Sequence, residues 1–406
     1  MKPALPLLAI AILLGAGAFQ LLRTEAAEPD EPIPALDPTP ATATQPEDGV
    51  RKPAGEGASR PHATRMADVA GGTGTNWVAL NNEANEDLSR DDYESAAAKF
   101  RQCVEARPDE PIFRRNLGIT LAQLADALAD SAEAADRARA LEVAAEAVEL
   151  LEGDEREAVQ LRLERWKAAA VTEADFFTYG NDRFELAYDG DRDSLRASED
   201  RILQILDAAD QEFRESFGAD PLATTGKRLR VVFYRREQFD QVTGLGHWAG
   251  GVFDGTVRVP VENLRRQLTT GALERVLRHE LLHAFVSAVG GTRVPGWLNE
   301  GLAQWVEQPD RRSMAVAAAR QRLERQVLFP LSELRRGLST WEDADAIARA
   351  YAQSLALADW IVVHHGESVL FAMVQACGKN STPEQAFAKR AGFELALVVQ
   401  DLAESL

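Results

Sequence analysis

The sequence predicts an α+β protein: an all-α helical-repeat region, then a domain with a small mixed or antiparallel sheet and many helices. Three observations carry this. Helical patterning begins near Trp77 and runs to about residue 171. Two strand-like stretches follow, the alternating Arg183-Phe184-Glu185-Leu186-Ala187-Tyr188 and the apolar 228–234. Beyond Pro260 helical patterning returns and dominates to the end, so strands come before helices.

A length of 406 residues suggests two or three domains, and a hydrophobic content of 45% is ample for a core. Net charge is −19: residues 28–170 carry −13, residues 171–406 carry −7 and the first 27 carry +1. An acidic balance in both halves argues against a nucleic-acid surface, which needs a basic face. Two cysteines, Cys103 and Cys377, offer neither zinc-ligand spacing nor a disulfide framework, and whether they pair is open.

Residues 1–22 form the first segment: Lys2, then an apolar run from Ala4 to Leu22 broken only by Gln20. Ala16-Gly17-Ala18 offers a cleavage site, which reads as a signal peptide. The run also nearly suffices to span a bilayer, so residues 4–22 could stay as a membrane anchor. Both readings export the folded body, to the periplasm or another extracytoplasmic space. Residues 23–76 hold eight of the eighteen prolines, between Pro29 and Pro61, and read as a disordered tether.

Residues 77–171 make the helical region. Ala96, Phe100, Cys103 and Pro108 follow the order of a repeat's second helix; Ala84 lies twelve residues before Ala96, and Gly118 comes 34 after Ala84. This resembles a tetratricopeptide unit running into a second one. Asp87 stands where an aromatic is usual, residues 131–139 look like an Ala/Glu/Asp-rich excess, and the next helices are expected at 141–151 and 154–170. So few units rarely stand alone, so the region should pack on the following domain or on a protein partner. Cys103 falls on a core-facing position.

Residues 172–406 make the second domain. The 183–188 strand ends at an Asp189-Gly190-Asp191 turn, and a helix follows over about 198–217 with Ile202, Ile205, Leu206 and Phe213 on one stripe. Residues 228–234 read as a central strand, and 247–260 as a glycine-rich hairpin or bent edge strand closed by Pro260.

The domain is organised around Arg278-His279-Glu280-Leu281-Leu282-His283-Ala284-Phe285. His279 and His283 lie one helical turn apart on one face, within reach of a single ion. Glu280 sits about 100° round the helix, where a general base belongs. Leu273, Val276, Leu277, Leu281, Leu282, Phe285 and Val286 make this a core helix, where unpaired imidazoles and carboxylates are costly unless a divalent cation joins them. Residues 295–305 suggest a second helix packed on the first, with Glu300 seventeen residues beyond His283. That loop length lets the carboxylate complete a His₂Glu set with one position open.

With these motifs the segment from about 178 to 406 resembles the peptidase MA-like domain of the gluzincin (thermolysin-like) zinc metallopeptidases. The resemblance implies one Zn2+ per chain on His279, His283 and Glu300, with Glu280 as base. It implies that Ala249, Gly250, Gly251 and Val252 form an edge strand that binds extended peptide or protein substrate. It also implies an oxyanion donor downstream, for which Tyr351 is the better candidate, opening a long apolar helix. His364 and His365 read as structural residues near that helix's end. Gln304 stands where the thermolysin pattern has an acid, with Glu307 three residues on, which leaves the groups supporting the ligands open. The alternative function is a non-enzymatic interaction scaffold with a structural or vestigial zinc site.

Overall fold

A computed structural model of the chain describes residues 10–11, 63, 77–189, 195–223, 228–245, 249–338, 341, 343–379 and 381–406. The expected leader and tether otherwise lie outside the described residues, as does most of the Asp189-Gly190-Asp191 turn. The architecture is α+β, mostly helical with a small mixed sheet.

Five helices come first: α1 (Trp77–Ser89), α2 (Tyr93–Ala106), α3 (Pro111–Ala129), α4 (Ala134–Leu150) and α5 (Gly153–Thr172). Each packs on the next. Local chemistry sets their ends: Asp92 caps α2 by accepting from the Ser95 amide at 3.2 Å, and Pro111 opens α3, where no amide is needed. Ala84 and Ala96 are both fully buried, as small residues at a helix crossing should be. Asp87 is buried too, and in place of an aromatic it pairs with Lys99 at 2.7 Å and Arg90 at 2.6 Å. The stretch at 131–139 is no excess. Ser131 bonds Asp136 at 2.7 Å, and α4 starts at Ala134, seven residues earlier than expected, because alanine-rich sequence with charges is good helix material.

The sheet holds β1 (Phe177–Gly180), β2 (Phe184–Tyr188), β3 (Leu229–Tyr234), β4 (Val252–Phe253) and β5 (Val257–Pro260), in the order β4-β5-β3-β2-β1. β2, β3 and β5 run parallel, and an antiparallel strand closes each edge. Residues Ile10–Ala11 pair antiparallel with β4, Ile10 opposite Phe253. The alternation in 184–188 sorts side chains to two faces, yet both faces are buried. On one, Leu186, Val231, Phe233, Val257 and Val259 join the main core with α6 (Glu199–Phe217) and α9 (Ala272–Gly290). The other carries Glu185, Arg230 and Arg258 beside Ala187, Val232 and Tyr234, and is covered by the end of α5 and by α7 (Arg236–Thr243).

After β5 come α8 (Leu264–Thr269), α9, α10 (Gly296–Glu307), α11 (Arg312–Leu323), α12 (Ala344–His365), α13 (Ser368–Gly378), α14 (Pro383–Ala391) and α15 (Leu395–Glu404). Helices α9, α10 and α12 lie side by side. Gly301 permits the close crossing of α10 and α12, since a Cβ there would stand 2.4 Å from the Ser354 carbonyl oxygen. Tyr351 does not open its helix. Asp343 caps α12 by accepting from the Asp345 and Ala346 amides, at 2.9 and 3.3 Å, which puts Tyr351 two turns inside.

Candidate active site

The site is built on α9, whose middle is buried on every side: His279, Glu280 and His283 are at most 1% exposed. The one-turn spacing brings the two imidazoles to 4.7 Å between ring centres. From α10, a Glu300 oxygen approaches His279 Nε2 at 3.5 Å and His283 Nε2 at 3.8 Å, ion-pair contacts too long for good hydrogen bonds. Two ligands of one tetrahedral zinc, at bond lengths near 2.0–2.1 Å, stand about 3.3 Å apart, so these separations suit a shared ion.

A second layer fixes the rings. His279 Nδ1 meets a Glu307 oxygen at 2.8 Å, and His283 Nδ1 meets Asn299 Oδ1 at 2.9 Å. An ionised carboxylate can only accept, so Glu307 calls for a proton on Nδ1, and Nε2 is the nitrogen turned to Glu300. Glu300 and Glu307 are seven residues apart, two turns of α10, and so flank His279 from one face of that helix. Arg278 sets the depth of the crossing: its Nε donates to the Val306 carbonyl at 2.9 Å, and its Nη2 binds Glu212 of α6 at 2.8 Å. Gln304 supports a different element, donating to the Glu300 and Tyr351 carbonyls at 3.1 Å each, which ties α10 to α12. The Tyr351 side chain bonds the Glu300 carboxylate.

Burial dominates the electrostatics. It pushes the Glu280 carboxyl well above the usual range, with Glu300 and Glu307 adding to the effect, and it raises Glu300 as well. Burial opposes charge on His279, but the carboxylates of Glu300 and Glu307 outweigh it and lift the imidazole to about 10. His283 is held well below its ordinary value by burial and by the charge on His279. His279 Nε2, His283 Nε2, Glu300 Oε2 and both Glu280 oxygens are buried without a hydrogen-bond partner among the described residues. Leaving such atoms bare costs about 1–3 kcal/mol each, more when charged. A divalent cation held by the two nitrogens and the Glu300 oxygen fits this donor set, and these three residues are the described group suited to a metal.

Residues 249–252 border the site, but they are less of an edge strand than expected. Ladder pairing covers only Val252 and Phe253, and residues 246–248 lie outside the described residues. The Ala249 side chain turns to the α7 side, and its carbonyl accepts from Arg236 Nη1 at 2.7 Å. Val252 packs on that side too. Gly251 is the residue that meets the site: a Cβ there would stand 2.9 Å from both Glu280 Oε1 and Val276 Cγ1. Gly250 lies farther out, its nearest such contact 3.8 Å from Val276. His364 stacks on Trp360, and His365 packs against Phe387 and Phe393, as structural residues do. Cys103 and Cys377 are both buried as free thiols.

Sequence reasoning noted Glu307 without giving it a role, and it missed Asn299 and Arg278. A two-turn spacing from Glu300 and adjacency to each ligand were the available signals.

A search of curated proteins and of solved structures returns no significant match for the chain. Residues 233–405, from within β3 to α15, match the family model of the Peptidase MA superfamily. The helical region lies outside that match. The geometry of α9, α10 and α12 falls inside it, so this part of the chain is similar to that superfamily.

Proposed function

We infer that the chain is a zinc metallopeptidase that hydrolyses peptide bonds with Glu280 as general base. The observation that carries this is the convergence of two imidazole nitrogens and one carboxylate oxygen, buried and without hydrogen-bond partners among the described residues, with a second carboxylate in the same condition on the same helix. Zinc on His279, His283 and Glu300 would supply a Lewis acid that makes water a nucleophile near neutral pH and polarises the scissile carbonyl. Glu280 is suited to take the proton of the attacking water and pass it to the leaving amine, because it is a buried carboxyl one residue from the first histidine and both its oxygens lack a hydrogen-bond partner among the described residues. A structural metal site would need no such group.

Glu307 and Asn299 hold the imidazoles in the tautomer that binds. Tyr351 steadies Glu300, and in the reaction its hydroxyl is our candidate donor to the developing oxyanion. The outer side of β4, where Gly251 brings bare backbone against Glu280, suits an extended peptide added as an antiparallel strand in place of Ile10–Ala11. The Ile10–Ala11 pairing uses that same hydrogen-bonding direction. The proposed setting is extracytoplasmic, with residues 1–22 as cleaved leader or retained anchor; N-terminal sequencing of the mature protein after cell fractionation tests it.

Metal analysis of the purified chain should find about one zinc per chain. Glu280→Gln should retain that zinc while hydrolysis of a generic protein substrate is lost. A wild-type protein that takes up no zinc would sink the reading.

A further inference from the structure

On the face of the sheet turned away from the site, one carboxylate at the end of α5 gathers two arginines and a tyrosine of the strands. Glu173, directly after α5 and only 8% exposed at its side chain, receives Arg258 Nη1 at 3.0 Å, and also pairs with Arg230 and the Tyr234 hydroxyl. Arg258 belongs to β5, and its Nε reaches both oxygens of Asp254, in the β4–β5 turn, at 3.1 Å. One guanidinium therefore bridges the helical region to the turn of the hairpin that borders the site. A second contact lies at the tip. Gly255, at φ +95°, backs so closely on Asp130 at the end of α3 that a Cβ would stand 1.7 Å from its carboxylate. Two residues before Phe253, on the same short hairpin arm, Gly251 lies against Glu280.

We propose that the Glu173–Arg258–Asp254 bridge is a positioning device by which the helical region holds residues 249–252 against Glu280, setting how substrate backbone is received. Its bearing on substrate rests on the metallopeptidase reading; its bearing on the hairpin does not. Arg236 on the Ala249 carbonyl and the packing of Val252 and Phe253 also hold its first arm, but few ladder bonds do. β4 has two ladder residues, and a strand that short should open locally at small cost. Buried ion pairs are poor sources of net stability but good at selecting one arrangement, which is the property a positioning element needs.

The test uses the full-length, zinc-loaded chain. In Glu173→Gln, hydrogen exchange followed by mass spectrometry should rise about tenfold over residues 249–257, the loss expected when a charged hydrogen bond goes. Residues 276–288 of α9 should be unchanged. With a mixture of internally quenched peptides as probe, KM should rise several-fold while kcat and zinc content hold. Glu133→Gln, which removes only the exposed 3.4 Å pair with Arg228, should do neither. If Glu173→Gln does not fold, Asp254→Asn breaks the other arm at a partly exposed residue and should give the same pattern. Unchanged exchange over 249–257 in a folded variant overturns the proposal. Wild-type protein that cleaves no probe overturns the peptidase reading instead, while the exchange result still decides the bridge.

Discussion

Two of the protein's buried charge clusters are finished in opposite ways. On the α5 side of the sheet, Glu173 and Glu185 meet Arg230, Arg258 and Arg228, with Tyr234 and Asp254 completing the set. Every carboxylate there has a guanidinium. On the other side, α9 and α10 bring together His279, Glu280, His283 and Glu300, and five of their polar atoms have no hydrogen-bond partner among the described residues. Folding alone explains the first cluster, because a sheet face that must be covered can be covered over paired charges. Folding alone does not explain the second, where apolar residues of similar volume would cost less. The difference is what supports reading the second cluster as the proposed metal site.

Neutralising one member of each cluster should separate them most sharply. Glu280→Gln should cut hydrolysis by about 10²–10⁴-fold, the usual worth of a general base. It should leave the melting temperature of the metal-free protein unchanged or raised, since it removes no partnered group. Arg230→Ala should do the reverse. It removes the buried guanidinium that Glu173 and Glu185 share, leaving each with one arginine, and should cost about 3–5 kcal/mol in urea unfolding. If Glu280→Gln destabilised as much as Arg230→Ala, the unpaired atoms would have structural partners after all, and the contrast would fail.

Glu307 tests the boundary between the clusters, being a paired carboxylate inside the unpaired site. Glu307→Gln keeps the volume but no longer dictates the proton on His279 Nδ1, because an amide can donate as well as accept. Zinc affinity, measured by competition with a chelator, should fall about 10–100-fold, as it does for other supporting residues of metal sites. The visible spectrum of the cobalt-substituted protein should shift with it. Zinc bound as tightly as by wild type would show that Glu307 only fills space.

What could be read from the sequence was whatever depends on short spacing. The one-turn separation of His279 and His283, Glu280 beside them, and the apolar residues around them all lie within one helix, so periodicity suffices. Glu300 needed only a turn of plausible length. Glu307 and Asn299 needed the angle at which α10 crosses α9, which is set by Arg278 gripping the Val306 carbonyl and has no local signature. The paired cluster was hidden by distance: Arg230 and Arg258 reach Glu173 from 57 and 85 residues away, and each looks like an ordinary solvent-facing strand residue. Helix starts failed where a polar run conceals the cap, as at Asp343 before α12. The repeat-like spacing found real helices at Ala84 and Ala96, while Asp87 shows how an expected aromatic gives way to a buried charge once Lys99 lies opposite.

The smallest effect concerns pH and belongs to the paired cluster alone. Burial works to raise the Glu173 carboxyl, but Arg258 and Arg230 prevail and hold it below its ordinary value of 4.5. A carboxyl with a lowered folded-state pKa stabilises the fold fully above its unfolded value and loses that contribution as pH falls through the folded one. Each unit of lowering is worth about 1.4 kcal/mol, so the change is modest beside those above. Many carboxylates titrate in that window, so the wild-type acid limb alone is uninformative. The gap between wild type and Glu173→Gln isolates this one. Urea midpoints should differ most above about pH 5 and converge as acid protonates Glu173, because the wild-type residue then becomes as neutral as the glutamine. A gap that stays constant from about pH 6 to about pH 3 would mean Glu173 titrates no differently in the folded and unfolded chain. In that case the two arginines would not be stabilising its charge, and the paired cluster would lose the property that sets it apart from the site.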